Sequence, residues 1–374
     1  MAEMKIAKPQ ELGLNVTRLK AAQKLLKAWT DQGLVPGGAI VVGRRGRIVE
    51  PIFHGRQGPE KNVPPIRRDG MFLLASITKT ITYTCGLMLV ERGQLNLSDK
   101  VTRYLPDFAA HHKEDVLVQQ LFTHTSGMPD MVPDNVELRR KHAPLSRFIK
   151  GAIRDTVPLF RAGTNYSYQS MGTLVVAELV QKISGKSIAR FMRDEIFQPL
   201  GLKSIGLGSK GLARERLVRV ETPAYQAQSD YGWNGKYWQE LGVPWGGMFA
   251  SPQDFAVLAQ LMLNRGQFAG VRLLSPFTVD MATTNRFNDE PELPESLRRS
   301  RPWGLGWRMN HPGTPGSWSD LLGRHVFGHT GATGTMAWMD RERDGFCLLF
   351  TSAIRSKAPW RLVQLSNIIA SAFE

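Results

Sequence analysis

An α+β fold is consistent with the layout of this 374-residue chain, in which strand-like stretches gather near the two ends and helical ones lie between. Near the N-terminus, Gly37 to Gly43, the turn Arg44-Arg45-Gly46-Arg47 and Ile48 to His54 read as a β-hairpin. Near the C-terminus, Trp303 to Met309, Val326 to Met339 and Phe346 to Thr351 read as three more strands. Long apolar segments at Ile81–Val90 and Met171–Ile183 supply helices between these ends. A hydrophobic content of 42% with 9% aromatics suits a packed globular protein, of one large domain or two interleaved ones.

Each element has its own signal. From Val16 to Gln32, Leu19, Ala22, Leu25, Leu26 and Trp29 fall at helical spacing, and Gly33 is the stop. The flexible stretch Pro64 to Gly70 leads into Leu74-Ala75-Ser76-Ile77-Thr78-Lys79-Thr80, where a helix begins that ends at Gly93. Leu95 to Lys100 is a polar connection, and Gln120 to Thr125 a helix end capped by Gly127, with His124 and Ser126 in local hydrogen bonds. Residues 144–160 are helical, and Met171 to Ile183 forms a helix closed by Ser184-Gly185. Six of the nine tryptophans fall between Trp233 and Trp318, which fits pocket walls and a glycine-rich packed loop equally well. Pro252 to Arg265 and Trp360 to Phe373 read as the last two long helices.

The chemistry centres on Ser76. Residues i and i+3 share a helix face, so Lys79 projects its ammonium beside the Ser76 hydroxyl. Serine is a weak nucleophile until a neighbour takes its proton, and a helix N-terminus favours the negative charge that develops on attack. Serine, lysine and helix start together suit acyl transfer. Taken alone, the tetrad also reads as an N-capping serine with a solvated lysine.

Composition excludes several other classes. The net charge of +15 comes from scattered basic residues with only short pairs such as Arg139-Arg140 and Arg298-Arg299, so specific nucleic-acid binding is not expected. A basic surface that draws in anionic substrates is the milder reading. No run approaches the roughly 18 apolar residues that span a bilayer. Cys85 and Cys347 both lie in apolar segments and read as buried free thiols. The N-terminal Met1 to Pro9 has no apolar signal core, so a cytoplasmic location is the expectation. Gly185-Lys186-Ser187 fails as a phosphate loop, because Val180 stands where the first glycine belongs. Gly206-x-Gly208-x-x-Gly211 fails as a dinucleotide fingerprint, because no apolar strand precedes it. No Gly-x-Ser-x-Gly elbow is present, which argues against an α/β-hydrolase.

Five blocks in order across residues 37–352 carry a resemblance. They are Ser76-Ile-Thr-Lys79, Leu121-Phe-Thr-His-Thr-Ser-Gly127, Gly163-Thr-Asn-Tyr-Ser-Tyr168, Gly246-Gly-Met-Phe-Ala-Ser-Pro252 and His329-Thr-Gly331. With these the chain resembles the serine β-lactamase-related superfamily, in the branch of class C β-lactamases, family VIII esterases, D-aminopeptidases and related acyltransferases. The resemblance implies an antiparallel sheet flanked by helices and formed from both chain ends, with a mainly helical region inserted. On that basis residues 1–95 and 236–374 would form the sheet domain and 96–235 the helical one, with Ser76 at their junction.

The resemblance also assigns roles. The family's Tyr-x-Asn motif fits both Tyr166-Ser-Tyr168 and Tyr168-Gln-Ser170, and the preceding Gly-Thr-x-aromatic pattern puts the catalytic tyrosine at Tyr168. Ser170 then replaces the usual asparagine. His329-Thr330-Gly331 stands for Lys-Thr-Gly, so a residue mostly neutral near pH 7 replaces a permanent cation. Ser170, His329, Thr330 and Gly331 would meet substrate, and the backbone N–H groups of Ser76 and Ala332 would form the oxyanion hole. The implied mechanism is attack by Ser76 on an ester or amide, with the proton moving through Lys79 and Tyr168, then hydrolysis of the acyl-enzyme. No cofactor and no metal is called for. A small-molecule ester or amide is the expected partner, with esterase-like activity first. β-Lactamase, penicillin-binding or D-aminopeptidase activity is the alternative. An acyltransferase or a non-catalytic binding protein stands behind both.

Overall fold

The computed structural model describes residues 4–226, 229–313 and 318–374. In chain order the first strands are β1 (Lys5–Ile6), β2 (Gly37–Arg44), β3 (Arg47–Ile48), β4 (Ile52–Gly55) and β5 (Phe72–Leu73). Then come β6 (Ile205–Leu207), β7 (Met248–Ala250), β8 (Gln267–Phe268) and β9 (Val271–Arg272). The last are β10 (Arg308–Met309), β11 (Phe327–Gly331), β12 (Thr335–Asp340) and β13 (Gly345–Thr351). The main sheet runs β1-β3-β2-β13-β12-β11-β10, with β4 also paired to β2. Its pairs are antiparallel except β1 with β3. Strands from the two chain ends meet where β2 lies against β13, with Val41 opposite Leu348.

Alternation along these strands builds two layers. Ile40, Val42, Cys347 and Leu349 face the helix α1 (Val16–Asp31) and the C-terminal helix Trp360–Ala370. Ala39, Val41, Leu348 and Phe350 face the opposite way, into the larger core with Phe255 and Leu258 of the helix Pro252–Leu263. The helix α2 (Thr78–Glu91) belongs to that larger core and is buried at every position from Thr78 to Leu89. A helix covered on all sides needs no amphipathic stripe, which is why its sequence is apolar or threonine-rich throughout. It packs on the helix Met171–Ser184, where a Cβ on Gly86 would sit 3.1 Å from Val176 and 2.8 Å from Phe122.

Four expectations change in detail. The return strand from Ile48 to His54 is broken into β3 and β4 across Val49–Pro51, since a proline has no N–H for the ladder. Val326 to Met339 is not one strand but the hairpin β11–β12, turned at Ala332-Thr333-Gly334 with Gly331 opposite Thr335. Gly334 takes φ +81°, the left-handed conformation that three-residue hairpin turns require. Trp303 to Met309 is a strand only at Arg308–Met309, because Gly306 turns the chain with φ +81°. The 144–160 stretch contains the helix Leu145–Lys150 and one wider π turn, Gly151–Asp155, before Pro158.

Candidate active site

Ser76 sits in a 3-10 turn, Ala75–Ile77, that runs straight into α2. Ala75 just before it has φ +47°, an uncommon value for a residue with a Cβ and a mark of local strain. Two strands hold this turn. β5 pairs with β7, and Leu74 N donates to Met248 O at 2.9 Å. On the other side the β11–β12 hairpin is stitched on by Thr333 Oγ1 to Leu73 O at 2.7 Å and Thr335 Oγ1 to Leu74 O at 2.9 Å. Glycine at 331 makes the approach possible, since a Cβ there would stand 2.3 Å from Leu74 O. Ala332 in the hairpin turn thereby shares a cavity wall with Ser76.

Lys79 meets Ser76 as the spacing predicts. Its Nζ donates to Ser76 Oγ at 3.2 Å and to Trp245 O at 3.0 Å. The chain turns tightly between Trp245 and β7, where a Cβ on Gly247 would stand 2.6 Å from Val243 N. Lys79 is 1% exposed, and burial lowers its pKa to about 7, with Asp130 acting in the opposite direction. Burial thus favours the unprotonated amine far more than in a solvated lysine.

Tyr168 lies over Lys79, whose Nζ is 4.8 Å from the ring centre. Burial drives the phenol in the other direction, far above its usual pKa, although the neighbouring Ser76 side chain opposes this. That influence places the Tyr168 hydroxyl toward Ser76, yet the two do not reach standard hydrogen-bond geometry. The tyrosine is a neutral phenol across the physiological range.

The chain segment bearing Tyr168 is held by the block around His124. Ser167 N donates to His124 O at 3.1 Å, Gln169 N donates to His124 Nδ1 at 3.3 Å, and Ser126 Oγ donates to Gln169 Oε1 at 2.8 Å. The His124 ring stands 4.9 Å from that of Tyr168 and 4.4 Å from that of Trp303. His124 thus holds the Tyr168 segment, and its hydrogen bonds come from the distant Ser167 and Gln169 rather than from the local partners the sequence suggests.

A cavity of about 420 Å³ opens above these groups. Ser76, Tyr166, Tyr168, His329, Thr330 and Ala332 all line it, so the structure brings these sequence-predicted residues together. Gly331 and Ser170 are not on its wall. Gly331 serves the backbone approach described above. Ser170, 2% exposed, spends its hydroxyl on Asp130 Oδ1 at 2.6 Å. His329 keeps Nδ1 against its neighbour's carbonyl, Thr330 O, at 2.7 Å. Burial, with Lys79 close by, pushes its pKa down to about 3, so the ring is neutral throughout the working pH range.

Sequence reading missed the cations of the cavity. Arg301, Arg308 and Arg355 line it, and Arg355 Nη1 donates to Thr330 Oγ1 at 3.2 Å. It missed Asp130 as well, which stands just past the Leu121–Gly127 block. No local pattern distinguishes these four charges from the chain's other basic and acidic residues, because the fold alone gathers them. Of the clustered tryptophans, Trp303 is a cavity wall and Trp245 supplies the carbonyl for Lys79. Among the described residues, no group of three or more His, Cys, Asp or Glu is spaced to hold a metal ion. No helix among them is long and apolar enough to cross a membrane.

Comparison with known proteins agrees with this fold. The chain is 26% identical over 376 residues to the N-acetylmuramyl-L-alanine amidase of Bacillus subtilis (strain 168), covering 91% of this chain and 82% of the relative. A penicillin-binding protein homolog from Caulobacter crescentus superposes with a TM-score of 0.77 at 20% identity, covering 96% of this chain and 99% of the other. A family VIII carboxylesterase gives a TM-score of 0.75 at 18% identity, covering 95% and 98%. The model of the Beta-lactamase family matches residues 22–367, and this chain belongs to that family.

Proposed function

We propose that this protein is a serine hydrolase that cleaves carboxylic esters or amides through an acyl-enzyme on Ser76. The observation that carries the reading is the buried Lys79 amine, 3.2 Å from Ser76 Oγ with a pKa lowered to about 7. A base poised near the operating pH is the efficient choice for proton abstraction. In this reading the neutral amine takes the Ser76 proton as the hydroxyl attacks the carbonyl. The oxyanion rests on the N–H groups of Ser76 and Ala332. Tyr168, a neutral phenol beside both, relays the proton to the leaving group and then helps orient the water that releases the acid. The amidase and carboxylesterase named among similar proteins support this class of chemistry.

Esters are favoured over β-lactams for a local reason. Penicillin-recognising relatives place a lysine cation at the first position of the third motif, where His329 is buried and neutral. Ser170, in the place of the usual asparagine, is engaged with Asp130. The test is a panel of p-nitrophenyl acetate, p-nitrophenyl butyrate and nitrocefin on the wild type and on Ser76→Ala. Ester turnover with higher kcat/KM than nitrocefin, lost in Ser76→Ala, is the expected result. Faster nitrocefin turnover would reverse the ranking, and ester turnover that survives in Ser76→Ala would overturn the reading.

A further inference from the structure

We propose that Arg361, a buried cation on the C-terminal helix, is a positioning residue for the oxyanion hole, clamping the hairpin turn Ala332–Gly334 that carries the second N–H. The proposal deepens the acyl-enzyme reading and rests on it for the role of Ala332.

The aim of that N–H is set by the peptide between Gly331 and Ala332. In a trans peptide the C=O and the N–H point in opposite directions. Gly331 O is turned into the hairpin turn, where it accepts from Gly334 N at 3.1 Å. The Ala332 N–H therefore points out of the turn, and Ala332 lines the cavity together with Ser76. A shift of Gly334 would rotate this peptide and move the donor.

The turn is gripped by residues 351–355, from the last residue of β13 onward. Gly334 O accepts from Thr351 N at 3.1 Å and from Thr351 Oγ1 at 2.7 Å. A Cβ on Gly334 would stand 2.2 Å from Ala353 O and 3.0 Å from Arg361 Nη2, so the turn rests directly on these two groups. At its other end, Ala332 O accepts from Arg355 N at 2.9 Å.

Arg361 in turn holds residues 351–355. Its Nη2 donates to Ala353 O at 2.9 Å and to Ile354 O at 3.1 Å, two successive carbonyls past the end of β13. The side chain is fully buried, and its Nε and Nη1 meet no acceptor among the described residues. Glu221, the acid whose charge reaches it, is itself paired with Lys357 at 2.8 Å. A cation is a poor choice for filling space, because an apolar side chain of similar volume does so without the desolvation cost. The guanidinium answers two carbonyls beside the turn, and buried carbonyls left unpaired are costly.

Arg361→Met keeps the apolar stem and removes both bonds, whereas Arg361→Lys keeps one donor group. The full-length variants are compared in p-nitrophenyl butyrate turnover, with rates taken per site titrated by a fluorophosphonate so that unfolded protein is not counted. Phenylboronic acid gives the second readout, since its boron takes the Ser76 oxygen and sets a boron-bound oxygen in the oxyanion position. Arg361→Met should lower kcat and kcat/KM together by at least tenfold, the mark of an interaction made only in the transition state. Losing an oxyanion donor outright costs about 10²–10³ in kcat, which bounds the effect from above. Inhibition by phenylboronic acid should weaken by a similar factor, and the rising pH limb near 7 should stay in place, because Lys79 is untouched. Arg361→Lys should fall between. Thr351→Val removes the hydroxyl bond to Gly334 O by an independent route, should show the same pattern at smaller size, and decides the matter if Arg361→Met does not fold. Wild-type kcat and boronate inhibition in the deciding variant would overturn the clamp, as would a loss carried by KM alone or by a displaced pH limb. A wild type that takes no fluorophosphonate label overturns the acyl-enzyme reading and the hole with it, whereas a labelled wild type with an unaffected variant overturns the clamp alone.

Discussion

At the scale of single residues, burial sets Lys79 and Tyr168 apart. The same desolvation lowers a cationic amine and raises a phenol, which is why the proposed mechanism makes the lysine the base and the tyrosine the proton carrier. The sign of the pH dependence follows. Because the Lys79 pKa is lowered to about 7, its basic form grows as pH rises through that value, and kcat/KM should climb from pH 6 toward pH 8. His329 cannot mimic this limb, since its pKa is pushed down to about 3. His329→Ala should alter KM or substrate preference and keep the limb near pH 7. Tyr168→Phe should lower kcat by about two to four orders of magnitude, the usual worth of a positioned acid–base group. A pH–rate series on the three proteins checks both statements. The Ser76–Lys79 contact was legible in the sequence because it is local, three residues along one helical turn. Tyr168 was legible only through its family motif. Arg308, Arg355 and Asp130 were not legible at all, because each reaches the site by tertiary contacts that no spacing encodes.

At the scale of elements, the decisive junction is between the β11–β12 hairpin and the turn before α2. Two threonine hydroxyls from the hairpin bond to Leu73 O and Leu74 O, and Gly331 lets the backbones close. A methyl group at 331 has only 2.3 Å to Leu74 O, so Gly331→Ala must push the hairpin away from Ser76. The expected cost is about 1–3 kcal/mol of stability, the range of an overpacked core position. Urea unfolding gives that figure, and the rate of Ser76 labelling should fall with it. A variant with unchanged midpoint and labelling would show that the contact is slack. Sequence reading took Val326–Met339 as one strand because it holds no proline, Asn-Gly or Asp-Gly signal, and Gly334 is one of three glycines with nothing local to single it out as the turn. The hairpin, and with it the place of Ala332, became visible only when β12 was seen to pair with both β11 and β13. The long helices were readable to within a few residues, since their periodicity and stops are local.

At the scale of the whole molecule, the chain ends build one sheet together, so the site depends on a contact between residues some 300 positions apart, such as Val41 with Leu348. Loop closure of that length is an entropic cost that extensive burial must offset. The buried thiols offer a direct probe of that shared core. Cys85 and Cys347 are each 0% exposed, in the core around α2 and in the layer between the sheet and α1 respectively. A thiol reagent such as DTNB should react with neither in the native protein and with both in denaturant. Reaction of Cys347 alone under mild denaturant would indicate that the layer under α1 and the C-terminal helix opens separately.

The central claim, that Ser76 carries the acyl group, is tested most directly by mass mapping of the covalent adduct. The protein is treated with a fluorophosphonate or a slow-turnover ester, digested, and the modified peptide is sequenced. One adduct per chain on Ser76, absent from Ser76→Ala while its thermal unfolding stays cooperative, is the predicted result. An adduct on another serine, such as Ser126 beside Gln169, or stoichiometric labelling of Ser76→Ala, would contradict the account.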